Sequence, residues 1–189
     1  MEKTLRLFIA VPIPLAQRER LSDIGHHLKK RVHPPAKRWL YRDDYHITMQ
    51  FLGDVHTDLL SSICECLEEF STMYEPFKLE MTRPVLFPSL RHPLVIACPL
   101  QPNAVLERAA TNLSRLLTQF GFSEITLPFR GHVTLARIIS HNPPRIPFLG
   151  MENIEMIASS FAIYQSISTP NQGPHYRILR EYKLSKVSV

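Results

Sequence analysis

The sequence predicts an α+β fold of two lobes sharing a central cleft, with an approximate internal duplication. Segments of strand length, rich in β-branched and aromatic residues, alternate with segments whose apolar residues recur at helical spacing. Their order reads strand, helix, strand, helix, strand pair, helix, strand, strands. One short pattern occurs twice: His46-Ile47-Thr48-Met49 and His132-Val133-Thr134-Leu135, each a histidine, an apolar residue, a threonine and an apolar residue. At 189 residues the chain is long enough for one sizeable core. No low-complexity segment or composition shift divides it, so residues 1–189 read as one domain of two intertwined lobes.

The elements follow in order. Leu5 to Ile13 is a continuous apolar strand. Pro14 opens a helix, a position where its missing N–H costs nothing, and Leu21, Ile24, Leu28 and Val32 mark the buried side. Pro34-Pro35 stops that helix. A short strand over 38–41 and a turn at Asp43-Asp44 lead into the first histidine strand, which Gly53 closes. Thr57 is the expected N-cap of a second helix buried through Leu60, Ile63, Leu67 and Phe70. Strands follow over 77–87 and 94–100. Asn103 caps a third helix buried through Leu106, Ala110, Leu113, Leu117 and Phe120, and Gly121 stops it. The second histidine strand spans 127–139, a proline-rich loop 142–147, and final strands 159–168 and 176–184, separated by a loop over 169–174.

Bulk properties narrow the function classes. The apolar share of 44% and charged share of 21% are those of an ordinary globular protein. No apolar run approaches the length of a membrane span. Cys64, Cys66 and Cys98 are an odd set without metal-ligand spacing, which suits a reduced, cytoplasmic protein. The net charge of +5 permits a polyanionic partner. Much of the excess lies in Lys29, Lys30, Arg31, Lys37, Arg38 and Arg42, with Trp39 and Tyr41 between them. That segment reads equally as a solvated surface or as a phosphate track with stacking rings.

The repeated pattern carries the chemistry. Side chains at i and i+2 of a strand share a face, so His46 lies beside Thr48 and His132 beside Thr134. Two imidazoles flanking a phosphate make a general acid and a general base, and imidazole titrates near neutral pH. The hydroxyls can donate to nonbridging oxygens as charge develops. A serine elbow, a Gly-rich phosphate loop and a zinc-protease helix are all missing from the sequence. A single histidine-x-threonine pair is common in ordinary strands; two such pairs are more specific.

These stretches resemble the 2H phosphoesterase superfamily, and within it the bacterial and archaeal RNA 2′,3′-cyclic phosphodiesterases, historically called 2′-5′ RNA ligases. The resemblance runs through Arg6-Leu7-Phe8-Ile9-Ala10-Val11-Pro12, His46-Ile47-Thr48-Met49-Gln50-Phe51-Leu52-Gly53, Phe129-Arg130-Gly131-His132-Val133-Thr134-Leu135-Ala136-Arg137 and Tyr176-Arg177-Ile178-Leu179. Gly131 departs from it, standing where the family usually has proline. The resemblance implies two antiparallel sheets facing a central cleft, with helices outside and neither metal nor cofactor. The implied substrate is a 2′,3′-cyclic phosphate on RNA or a nucleotide, opened to a 2′-phosphate. It further implies His46 as proton donor and His132 as acceptor, with Thr48 and Thr134 on the phosphate, Phe51 stacking on a base and Arg137 pairing with phosphate. Phe51 reads equally well as a core residue. Arg137, five after His132, faces away from it in a regular strand and reaches the phosphate only past a bulge; Arg130, two before His132, is its rival. A monomer is expected. Two alternatives stay open: ligation or transesterification by the same histidines, and a non-catalytic RNA-binding module using the basic segment.

Overall fold

The computed structural model describes residues 3–138, 143–169 and 173–185. Ten strands and three α-helices lie among them. In chain order these are β1 (Thr4–Pro12), α1 (Leu15–Lys29), β2 (Arg38–Trp39), β3 (His46–His56), α2 (Leu60–Ser71), β4 (Phe77–Met81), β5 (Val85–Phe87), β6 (Val95–Pro99), α3 (Ala104–Leu117), β7 (His132–Arg137), β8 (Ile154–Ala158), β9 (Ser160–Thr169) and β10 (Gly173–Lys183). Residues 139, 142 and 170–172 of the expected strand and loops lie outside the described residues, as does His141.

The expected two facing sheets are in fact one antiparallel sheet of eight strands, ordered β10-β9-β1-β3-β7-β6-β5, with β2 added on β7. Its halves meet at one position, where Ile47 of β3 pairs with Val133 of β7. Beyond it, β1 continues along the whole of β3, while β7 takes β2 as its neighbour at Trp39↔Ala136 and Arg38↔Arg137. The strands must splay for β2 to pair there. A second sheet, β4-β8, is tied to the end of β6 by Thr82 N–H donating to Pro99 O (2.7 Å) and Gln101 N–H to Glu80 O (2.8 Å).

One face of the large sheet is covered. Leu7, Ile9, Ile47 and Val133 from strands join Leu21, Leu28, Ile63, Leu67, Leu113 and Leu117 from all three helices in one buried cluster. The opposite face carries two small apolar clusters without helix residues. One is Phe8, Ala10, Ala162 and Tyr164; the other is Phe87, Val95 and Ala97. Strand alternation explains the split, since Phe8 and Ala10 interleave with Leu7, Ile9 and Val11.

Several local expectations shift. Thr57 does not cap α2: the chain enters through a 3₁₀ turn, Thr57–Leu59, without a side-chain cap. Gly53 does not close β3, which runs on to His56; at φ 71° this glycine serves a bulge. The stretch 127–131 is not strand, and 38–41 is strand only at Arg38–Trp39, followed by a 3₁₀ turn at Arg42–Asp44. Strand β8 is additional; its buried Ile154, Met156 and Ala158 alternate with Glu155 and Ile157. Asn103 caps α3 as expected, its Oδ1 accepting from Val105 N–H (3.1 Å) and Leu106 N–H (2.9 Å). Asn103→Ala should therefore cost about 1 kcal/mol, read as a lower midpoint in urea unfolding at unchanged slope.

Candidate active site

Strands β3 and β7 begin with one burial pattern. In each the histidine and the threonine are half-buried, the residue between them and the next two are buried, and the sixth is exposed. The inner residues pack into the main core, so His46, Thr48, His132 and Thr134 share the open face. Because Ile47 sits opposite Val133 in an antiparallel pair, His46 lies towards Thr134 and Thr48 towards His132. The four side chains occupy the corners of a small quadrilateral where the two halves of the sheet meet.

Each threonine is followed by a bulge. Ala10↔Thr48 is succeeded by Ile9↔Gln50, leaving Met49 extra; Ala97↔Thr134 is succeeded by Ile96↔Ala136, leaving Leu135 extra. An extra residue reverses the alternation. Phe51 is therefore 70% exposed on the open face, not in the core. Arg137 turns to that face as well, and its charge reaches His46. Phe51 and Arg137 line one cavity of about 310 Å³ together with Arg6, Phe8, Ser166 and Tyr176. Arg130 takes another position, its guanidinium over the Phe87 ring at 4.6 Å and its Nη1–H donating to Pro88 O at 3.0 Å.

The imidazoles are anchored alike. Nδ1 of His46 is 2.7 Å from Asp44 O, and Nδ1 of His132 is 2.9 Å from Arg130 O, each the carbonyl two residues back. A carbonyl only accepts, so in the neutral rings Nδ1 carries the proton and Nε2 is left for a ligand. Each ring rests on the aromatic cluster of its own half. His46 meets Phe8 (4.7 Å), Tyr176 (4.9 Å, edge-on) and Tyr164 (5.5 Å), and His132 stacks on Phe87 at 4.2 Å. Burial pushes the His46 pKa down to about 4; the Asp44 carbonyl works against this, and the charges of His132 and Arg137 add to it. Burial also lowers that of His132, opposed by its carbonyl bond and reinforced by Arg130. Burial thus favours the neutral form of both rings when no anion is bound.

At Gly131 the chain is tied to the end of β6. Leu100 N–H donates to Gly131 O at 2.9 Å, and the Leu100 Cδ1 lies 2.7 Å from where a Cβ would stand. A leucine thus fills space that a side chain at 131 would need. The basic segment is less available than the sequence suggests. Arg38 donates to Pro174 O and faces Asp44, and Arg42 lies 3.8 Å from Glu19 and 3.5 Å from Asp43. Lys29, Lys30 and Lys37 stay exposed.

The aromatic bed is not visible in the sequence pattern. Phe8 lies in an unbroken apolar run, where nothing marks which alternate residues face the open side. Asp44 reads as a turn residue, though its place two before His46 matches that of Arg130 before His132.

A family model of LigT-like phosphoesterases matches residues 11–97, which include the first histidine motif. The RNA 2′,3′-cyclic phosphodiesterase of Archaeoglobus fulgidus is 30% identical over 183 residues, 95% of this chain and all of that one. The enzyme of the same name from Aeropyrum pernix is 35% identical over 148 residues, 75% of this chain and 82% of that one. Among solved structures, the Thermus thermophilus protein TT0787 has the same fold, with a TM-score of 0.82 at 23% identity, covering 96% of this chain and 99% of that one. With a relative 30% identical over 95% of the chain, and on a sheet that sets two histidine-x-threonine strands side by side, the chain belongs to the LigT-like phosphoesterases of the 2H superfamily.

Proposed function

We propose that this protein hydrolyses the 2′,3′-cyclic phosphate at an RNA end, or on a nucleotide, to a 2′-phosphomonoester. The observation that carries this reading is the pair of imidazoles with matched Nδ1 anchors, each beside a threonine hydroxyl where the sheet halves meet. The curated relatives bear the same activity in their names. In this reading the cyclic phosphate lies among His46, Thr48, His132 and Thr134. The hydroxyls donate to its nonbridging oxygens, and the Arg137 guanidinium adds charge complementarity. The nucleoside occupies the neighbouring cavity against Phe51, whose exposed ring offers a stacking surface.

The reaction needs one proton taken and one given. Nε2 of His132 accepts a proton from water as its oxygen attacks phosphorus. Nε2–H of His46 donates to the ribose 3′ oxygen as the P–O3′ bond breaks, giving a 3′-hydroxyl and a 2′-phosphate. His46 must be protonated for this, and burial opposes it. A bound phosphodiester anion offsets that burial, so substrate charges its own acid.

Assay of the purified protein on nucleoside 2′,3′-cyclic phosphates tests this directly: a 2′-phosphate product is expected, and a 3′-phosphate overturns the regiochemistry. His46→Ala and His132→Ala should each lower kcat by about 10²–10⁴-fold, much more than loss of either threonine hydroxyl. Near wild-type turnover by His132→Ala would sink the two-histidine mechanism. The roles separate on a substrate analogue with sulfur at the 3′ position, whose leaving group needs no proton. There His46→Ala should recover activity and His132→Ala should not; the reverse result exchanges the roles.

The pH dependence has a definite sign. Both imidazoles have pKa values below the ordinary value of about 6.5 in the free protein. Since kcat/KM reports free enzyme with one ring protonated and one neutral, its bell should have both limbs below about pH 6.5. The limbs of kcat should lie higher, because the bound anion favours imidazolium. A kcat/KM optimum well above neutrality would contradict this protonation scheme.

A further inference from the structure

We propose that Asp44 is the positioning residue for His46: its carboxylate locks strand β10 onto the turn whose carbonyl orients the imidazole. This rests on the reading of His46 as the acid. Asp44 is only 3% exposed. Its Oδ1 accepts the main-chain N–H of Tyr176 at 2.9 Å. Its Oδ2 faces Nδ1 of His175 at 3.3 Å and Nη2 of Arg38 at 3.8 Å. Arg38 in turn donates to Pro174 O, one residue before His175. The start of β10 is thus held at three successive residues, His175 and Tyr176 by Asp44 itself and Pro174 by Arg38, which faces Asp44. The main-chain carbonyl of the same Asp44 accepts from His46 Nδ1 at 2.7 Å, and the Tyr176 ring meets the His46 ring edge-on at 4.9 Å. One residue therefore determines two of the groups that fix the imidazole plane: the carbonyl on its Nδ1, and the tyrosine against its edge.

The way this carboxylate is buried argues against a purely structural role. Oδ2 is buried and makes no hydrogen bond; the Arg38 guanidinium faces it at 3.8 Å. Such a group costs folding free energy relative to a well-packed apolar residue. The second histidine shows the contrast. Its Nδ1 partner is the carbonyl of Arg130, whose exposed side chain covers Phe87 and donates to Pro88 O at the end of β5, with no buried carboxylate between strand and turn. The buried carboxylate belongs to the His46 side, and its counterpart Arg130 is exposed. A proton donor gains from the lock because transfer to a leaving oxygen depends on the direction of the N–H bond, and a ring free to tilt loses that alignment.

The test uses Asp44→Ala and Asp44→Asn in the full chain, with two readouts. On a nucleoside 2′,3′-cyclic phosphate, Asp44→Ala should lower kcat about 100-fold with KM changed less than about twofold, since the phosphate-contacting groups stay in place. Asp44→Asn keeps an acceptor for Tyr176 N–H but loses the attraction to Arg38, and should lower kcat by about tenfold. The second readout needs no activity. In ¹⁵N spectra of the neutral imidazoles, wild-type His46 should show protonated Nδ1, and Asp44→Ala should mix in the Nε2–H tautomer while His132 is unchanged. If Asp44→Ala does not fold, Asp44→Asn carries both measurements. A folded variant with wild-type kcat, or with lower kcat but an unchanged His46 tautomer, overturns the proposal. A wild-type protein inactive on cyclic phosphates overturns the proposed reaction instead, and the tautomer measurement still decides whether Asp44 orients the ring.

Discussion

The pairing of Ile47 with Val133 is the contact on which the open face depends. Both side chains are fully buried, on the face that packs against the helices. Because they point inward, the residues on either side of each must point outward. Those neighbours are His46 and Thr48 on one strand, His132 and Thr134 on the other. The hydrophobic effect that seats two β-branched residues in the core thereby delivers four polar groups to one spot. A slip of one residue in either strand would bury the histidine and threonine and expose the core residues, so the register is strongly specified.

Two further devices shape the candidate site at this crossing. The bulges at Met49 and Leu135 break alternation just after each threonine, bringing Phe51 and Arg137 back to the open face. The small apolar clusters beneath the rings withdraw both imidazoles from water, and their pKa values fall. The same aromatic contacts that support the rings therefore also favour their neutral form. An anion bound there favours the imidazolium form, so anion binding and proton uptake are coupled.

The two histidine strands are alike in burial pattern and unlike in surroundings. Each histidine leans on the carbonyl two residues earlier and on an aromatic ring. Around His46 the supporting residue is a buried aspartate bound to a neighbouring strand; around His132 it is an arginine at the rim, whose charge opposes protonation. Groups of equal chemistry placed in unequal electrostatic settings can take complementary parts in one proton-transfer reaction.

Much of this was legible from local patterns. Helices α1, α2 and α3 follow from apolar residues at helical spacing, and the Asn103 cap from the side chain best suited to bond orphan amides. Placing each histidine with its threonine needed only the period of a strand. The positions of Phe51 and Arg137 did not follow, because a bulge depends on how neighbouring strands pair, and a regular strand would have hidden both. Nor did the union of the expected two sheets, which turns on a single long-range contact. Asp44 lay beyond local reading altogether: its partner Tyr176 is 132 residues away in sequence, and only the folded chain brings β10 against the turn before β3. The sequence alone determined which groups share a strand face, since that is a property of neighbouring residues. The tertiary structure decided which faces meet, which strands bulge and which charge is buried beside which ring, because those depend on contacts between segments far apart in the chain.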